Sequence, residues 1–261
     1  MTFMNATEPL PIQLQGLSYM VDGTAILEDV DLTVHPGEIV GIMGRSGTGK
    51  TTLLRLIMGL VAPTGGRVLV RGVDITGLDE PELDRLREHM GMVFQGAALF
   101  DSMTVFENVA FALVEHRRLP AREIEGRVRE MLDMVDMAGA EHLMPAQLSG
   151  GMRKRVGVAR ALALSPSIML YDEPTAGLDP ISAASLDDLL VRLRQQVGVT
   201  SMVVSHNVES LRRVCDRAAV LHRGRFLAVG PIPELETSAD PAIEQFLSGS
   251  PEGPLTEGPD R

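Results

Sequence analysis

The stretch that decides the fold is Glu38–Leu56, "EIVGIMGRSGTGKTTLLRL". Residues 38–43 form a short apolar run, the pattern of a parallel strand buried on both faces. A glycine turn, "GRSGTGKT" (44–51), follows, and an apolar-periodic helix is expected from about Lys50 to Gly59. A strand, then G-x-x-x-x-G-K-[ST], then a helix is the context in which such a turn captures phosphate. Its backbone N–H groups form a concave nest, the glycines allow close approach, and the helix N-terminus adds positive partial charge. The nest residues are Gly44, Arg45, Ser46, Gly47, Thr48, Gly49, Lys50, Thr51 and Thr52. Lys50 is placed to reach β- and γ-phosphates and Thr51 to put a hydroxyl on Mg²⁺, so a nucleoside triphosphate is the expected ligand.

Outward from this turn, the chain alternates strand and helix patterns. Residues 12–34 alternate apolar and polar positions around "VDGT", which predicts an antiparallel hairpin. "GGRVLVRG" (65–72) reads as another strand, and residues 79–145 as helices rich in Glu and Arg inserted between strands of the main sheet. "SIMLYDE" (167–173), "TSMVVSHN" (200–207) and "RAAVLHRGRFLAVG" (217–230) are three further strand candidates, separated by helical patterns at 180–197 and 207–214. Such alternation indicates a mostly parallel, helix-covered sheet. The last residues, "SGSPEGPLTEGPDR", are rich in Gly, Pro and acid and read as a mobile tail.

Composition narrows the function classes. With 261 residues, 44% hydrophobic and 23% charged, the chain has the makeup of one large α/β domain or a core with a subdomain. A net charge of −11 argues against a general nucleic-acid binder, which needs a basic face. A single cysteine, Cys215, excludes an internal disulfide and a multi-cysteine zinc site, and fits a reducing compartment. "MTFMNATEPLPIQL" has no signal-peptide pattern, and the longest apolar stretch, "LLRLIMGLVA", is too short to span a bilayer. A soluble or peripheral protein on the cytoplasmic side of any membrane it serves is expected.

"SIMLYDE" places Asp172 and Glu173 at the end of a buried strand. A carboxylate there can hold Mg²⁺ through water, and a second can orient or deprotonate the attacking water. Asp172 is assigned to the metal shell and Glu173 to the water. His206 ends the run "SMVVSH" and Gln95 ends "MVFQ". Either is a solvated strand end or a phosphate, metal or water ligand. Gly150 and Gly151 open a second helix whose N-terminus suits an anion.

Together "GRSGTGKT", "VFQ", "LSGGM", "IMLYDEP", "AGLD" and "VSH" resemble, in type and order, the ATP-binding-cassette (ABC) ATPases, over about residues 12–235. The resemblance implies an α/β fold: a P-loop NTPase (RecA-like) with a mostly parallel sheet core, an antiparallel β subdomain and an inserted α-helical subdomain. It implies a cassette domain at 10–235, with the helical part at about 96–160, and a tail at 236–261. ATP and Mg²⁺ are the implied cofactors. Tyr19 matches the aromatic that stacks on adenine, Gln95 the glutamine touching Mg²⁺, Glu173 the catalytic base and His206 the switch histidine. Ser149, Gly150 and Gly151 match the signature that clamps ATP held by a second copy, and Asp179 an aspartate crossing that dimer interface. A separate transmembrane permease is implied, docking beside Leu99, Phe100, Met103, Val105 and Phe106, a segment that reads equally as helical core.

A narrower likeness covers residues 96–120, 142–181 and 245–254, which resemble the ATPase subunit of Mla/Mce-type phospholipid transporters. "LF…MTVFENVAF" and Met152, where glutamine is more usual, are its most telling parts. It implies lipid as cargo, an Mce-domain lipid-binding partner, a STAS-like subunit, and a place on the cytoplasmic face of the inner membrane. A cassette importing a polar solute such as an amino acid is the alternative. A soluble cassette acting on DNA or ribosomes is disfavoured by acidity and the lack of basic insertions, and a small-molecule kinase by LSGG.

Overall fold

A computed structural model describes residues 9–117 and 119–256; the N-terminal segment 1–8 and the last five residues of the tail lie outside the described residues. The chain begins with an antiparallel hairpin, β1 (Ile12–Val21) and β2 (Thr24–Val34), turning through Asp22 and Gly23, both at positive φ. Then come β3 (Ile39–Met43) and α1 (Lys50–Ile57). β4 (Gly65–Val70) and β5 (Val73–Asp74) complete a four-stranded antiparallel sheet in the order β2-β1-β4-β5. α2 (Glu80–Arg87) starts in a capping box, in which Asp79 accepts from Glu82 N and Glu82 from Asp79 N.

Within the stretch read as helical, Met90–Val93 forms β6, which lies parallel to β7 at the sheet edge. Gln95, read as a strand end in "MVFQ", points to this strand, but four apolar residues are too few to show a period, so its extent within the helical stretch was not given. Gly91 admits the helix packed over it, since an added Cβ would lie 2.7 Å from Ala161 O. Three helices follow before the sheet resumes: α3 (Val105–Arg117), α4 (Ala121–Met134) and α5 (Gly150–Leu162). β7 (Ile168–Asp172), α6 (Pro180–Val197), β8 (Thr200–Ser205) and α7 (Val208–Val214) then alternate as the sequence predicts.

The strand candidate 217–230 proves to be two strands, β9 (Arg217–His222) and β10 (Arg225–Pro231). Arg223 and Gly224, at φ 47° and 79°, make the two-residue turn that matches strand twist. The second sheet therefore runs β10-β9-β3-β8-β7-β6, parallel except for the β9–β10 pair. The α/β class with an antiparallel β part and a helical part is as expected.

Alternate residues of the buried strands face opposite ways. Ile39, Met43, Met169 and Tyr171 join the cluster shared with α3, α4, α5 and α6. Val40, Ile42, Ile168 and Leu170 join the cluster shared with α1 and the antiparallel sheet. The parallel sheet is thus buried on both faces, which is why its strands read as continuous apolar runs.

The end of the chain differs from the mobile tail expected. α8 (Ile232–Glu236) and α9 (Pro241–Ser248) precede residues 249–256, which turn back onto α9. Gln245 organises that return. Its Oε1 accepts from Leu255 N at 2.7 Å, and its Nε2 donates to Ser250 O and Thr256 Oγ1. Leu255 is buried, and its carbonyl accepts from Arg45 Nη1 at 2.9 Å. One apolar residue in a polar segment was enough, given a buried amide to satisfy the backbone.

Between α6 and α7, Asp187 is buried and accepts from Ser210 Oγ at 2.5 Å. Burial pushes its carboxyl up from 3.8 to about 6, opposed by the Ser210 bond and Arg213 and reinforced by Asp188 and Glu209. The folded chain holds this proton to higher pH than the unfolded chain does. Stability therefore falls as pH rises between those two values, by about 3 kcal/mol. Asp187→Asn is expected to abolish that decline and raise stability at pH 8. Denaturant midpoints at pH 4 and pH 8 check this, and identical pH dependence in both proteins would contradict it.

Candidate active site

Parallel pairing aligns the strand ends that carry the polar motifs. Met43 pairs with Ser205, Val204 with Asp172, and Val93 with Tyr171. The turn after β3, Glu173 after β7, His206 after β8 and Gln95 after β6 therefore emerge at one edge. That edge, at the carboxyl ends of parallel strands, is where open α/β sheets bind ligands.

The glycines of the first turn have steric reasons. A Cβ on Gly44 would sit 2.5 Å from Leu221 O, so the turn hugs the end of β9. Gly49, at φ 99°, caps α1 with no side chain and lies against Ile26 O of β2. The first-turn N–H groups of α1 are thereby left for an anion. Arg45, Ser46 and Gly47 are exposed, and Thr48 Oγ1 donates to Arg45 O. Thr52 lies half-buried in the first turn of α1.

Lys50 is buried, and its Nζ donates to Gly44 O and Arg45 O at 2.8 and 2.9 Å. Burial lowers its pKa, against the pull of the Glu173 and Asp172 carboxylates. Glu173 Oε1 lies 3.7 Å from the ammonium, near but not in hydrogen-bond contact. Thr51 Oγ1 donates to Asp172 Oδ1 at 3.0 Å. Burial raises the Asp172 pKa, and the Thr51 bond works against that rise. Glu173 has φ 48°, a left-handed conformation held by its N–H bond to Val204 O. His206 Nδ1 lies 2.9 Å from Glu173 Oε2, and Ser205 Oγ and His206 N approach the same oxygen at 3.4 Å.

An uncapped helix N-terminus, a buried ammonium and a paired hydroxyl and carboxylate fit a nucleotide's phosphates with their divalent cation. The remaining candidates are spread around this centre. Tyr19 pairs across the hairpin with Leu27, whose side chain lies against Gly49. Gln95 exposes its side chain at the end of β6. Ser149 caps α5, its Oγ accepting from Met152 N, and Asp179 caps α6, accepting from Ile181 N and Ser182 N. Bonds from Ser182 keep the Asp179 carboxyl low. The two turns adjoin: an added Cβ on Gly150 would lie 3.4 Å from Leu178 Cδ2, and one on Gly151 3.9 Å from Ser182 Cβ.

Residues 27–176 match the model of the ABC transporter family. The chain belongs to that family. It is 41% identical over 244 residues to the intermembrane phospholipid transport system ATP-binding protein MlaF of Escherichia coli K12, covering 94% of this chain and 91% of that one. It is 47% identical over 242 residues to the methionine import ATP-binding protein MetN of Xanthomonas campestris pv. campestris, covering 91% and 72%. A dimeric ATP-binding cassette solved with ADP and Pi superposes with TM-score 0.77 at 34% identity, covering 85% of this chain and 98% of that one. The chain is accordingly an ATP-binding cassette that hydrolyses ATP, with the P-loop NTPase fold.

In this ABC cassette the segment after Gln95 divides in two. Val105 is fully buried, and Leu99 and Phe106 pack on the helical core. Phe100 is exposed, stacks on Phe111 at 4.9 Å, and lies under Arg160 at 5.8 Å. Phe111 and Val114 on α3 extend that apolar surface, a pair the sequence reading missed because α3 is apolar nearly all round. Asn108, fully buried, fixes the segment. Its Oδ1 accepts from Phe100 N, and its Nδ2 donates to Phe100 O, Met103 O and Thr104 O. Met152 packs its side chain against the helical core. Ser205, inside the VSH stretch, and Lys154, between Arg153 and Arg155, also join the polar site, and neither was singled out from the sequence because its partners lie in distant segments.

Proposed function

We propose that this ABC cassette is the ATPase of a phospholipid transporter of the Mla/Mce type, peripheral on the cytoplasmic face of the inner membrane. Among the described residues no helix is long and apolar enough to cross a membrane, so the lipid path belongs to a separate permease. The observation that carries the lipid reading is the 41% identity to MlaF over nearly all of both chains, joined by Met152 and the 96–120 segment. Phe100, Phe111 and Val114 form the permease contact, with Mce-domain and STAS-like subunits as further partners. The 47% identity to a methionine import protein favours the second reading, a polar-solute importer.

In the mechanism, Lys50 and the turn 44–52 hold the β- and γ-phosphates of ATP, and Tyr19 stacks on adenine. Thr51, Asp172 and Gln95 would hold Mg²⁺, which would supply neutralisation of the charge developing on the phosphates. Glu173 accepts the proton of the attacking water. His206, 2.9 Å away, holds that carboxylate and reaches the γ-phosphate. The signature turn Ser149–Gly151 and Asp179 adjoin and together face a second copy, whose ATP they close upon head to tail. ATP favours the closed dimer through its higher affinity for that state, and its hydrolysis removes the bias.

Purification of the native complex with mass spectrometry of its subunits and bound molecules tests this. A permease, an Mce-domain protein and phospholipid are expected. A solute-binding partner with a bound amino acid would overturn the lipid reading in favour of the importer.

A further inference from the structure

We infer that Lys154 is a positioning residue for ATP hydrolysis, tying the signature helix α5 to the peptide of Glu173 and to Gln95. Lys154, Gly157 and Arg160, at i, i+3 and i+6, share the α5 face turned toward residues 95–98. Lys154 is 6% exposed, and its Nζ donates to Gln95 O and, at 3.3 Å, to Glu173 O. Gly157 admits the loop closely, since an added Cβ would lie 3.2 Å from Ala97 Cβ. Arg160 donates to Ala98 O at 2.6 Å and to Ala97 O at 2.8 Å.

The backbone these cations hold is strained. Ala97, Ala98 and Glu173 have φ of 61°, 47° and 48°, left-handed values that non-glycine residues avoid. Such conformations persist where the surroundings over-determine them, and here one buried and one half-buried cation, Lys154 and Arg160, bind the carbonyls of all three residues. An ammonium at a core-facing helix position is itself unfavourable. Burial lowers its pKa, while the Glu173 and Asp172 carboxylates favour the charged form. An apolar side chain would pack there without that penalty, but it would take the ammonium from the Gln95 carbonyl and leave the Glu173 carbonyl only its bond from Ala176 N.

The placement gives the contact a direction. α5 opens at Ser149, one and a half turns before Lys154, so a rigid shift of the helix at its N-terminus moves the Lys154 amine with it. The peptide of Glu173 and the end of β6 then move together. Engagement of Ser149 at one ATP site is thereby coupled to the placement of Glu173 at the other. Only this coupling clause rests on the shared-site reading; the positioning role of Lys154 does not.

The test uses the full chain with Lys154→Met, Lys154→Gln and Lys154→Arg, measuring steady-state ATP hydrolysis and the affinity for a fluorescent ATP analogue. Loss of a charge-assisted hydrogen-bond donor predicts that Lys154→Met lowers kcat about ten- to a hundredfold with nucleotide affinity within about threefold of the parent. Lys154→Arg, which keeps the donor and charge, is expected to recover kcat to within about threefold of the parent, with Lys154→Gln between. A Lys154→Met protein with more than half the parental kcat would overturn the proposal, as would an Arg variant as slow as the Met variant. If Lys154→Met fails to bind nucleotide at all, the Arg and Gln variants decide. Arg faster than Gln supports the role, and equal rates sink it. Loss of hydrolysis in Glu173→Gln together with full activity in Lys154→Met would separate failure of this inference from failure of the site assignment.

Discussion

Glu173→Gln is expected to slow ATP turnover by about 10²–10⁴-fold, the range for removing a positioned general base. Binding should survive, because Lys50 donates to Gly44 O and Arg45 O rather than depending on Glu173, which stands 3.7 Å away. A glutamine fits the same space and accepts the Ser205 and His206 contacts through its carbonyl oxygen. It cannot take a proton from water. With hydrolysis blocked and binding intact, ATP should hold the closed dimer, visible as an ATP-dependent shift in size-exclusion chromatography. Phosphate release above a tenth of the parental rate would remove Glu173 from the role of base.

Lys50→Ala is expected to weaken ATP binding by about a hundredfold or more, since each charge-assisted hydrogen bond contributes about 1.5–3 kcal/mol. Two losses combine. The phosphates lose a buried ammonium, in surroundings less screened than water, and Gly44 O and Arg45 O lose the donor that shapes the turn. The fold itself should tolerate the change, because burial already disfavours the charged lysine. Titration of a fluorescent ATP analogue against the folded variant measures the effect, and affinity within threefold of the parent would contradict the cradle.

Much of this was legible because the chemistry is local in sequence. The phosphate turn is contiguous, so one motif between a strand and a helix located Lys50 and Thr51 together. Asp172 and Glu173 are adjacent at the end of an apolar run and announced themselves in the same way. Their contacts were not legible, because the partners come from elements far apart in sequence: Thr51 on α1 meets Asp172 across 121 residues, and Lys154 on α5 meets Gln95 across 59. The extent of β6 and the break between β9 and β10 were not legible for a related reason. Four apolar residues carry no period, and a turn of Arg and Gly inside a continuous run shows only when the backbone bends.

Sequence alone determined the residue types that handle phosphate, the broad alternation of strands and helices around them, and membership of the cassette ATPases, since each is written in contiguous residues. Tertiary structure decided which polar groups touch, through the parallel register that brings β3, β6, β7 and β8 to one edge. It also divided the apolar segment after Gln95 between core and surface, and folded residues 249–256 onto Gln245 and Arg45. The physical reason is common to all three. Burial and hydrogen-bond pairing depend on neighbours supplied by distant parts of the chain, and no local pattern encodes a neighbour.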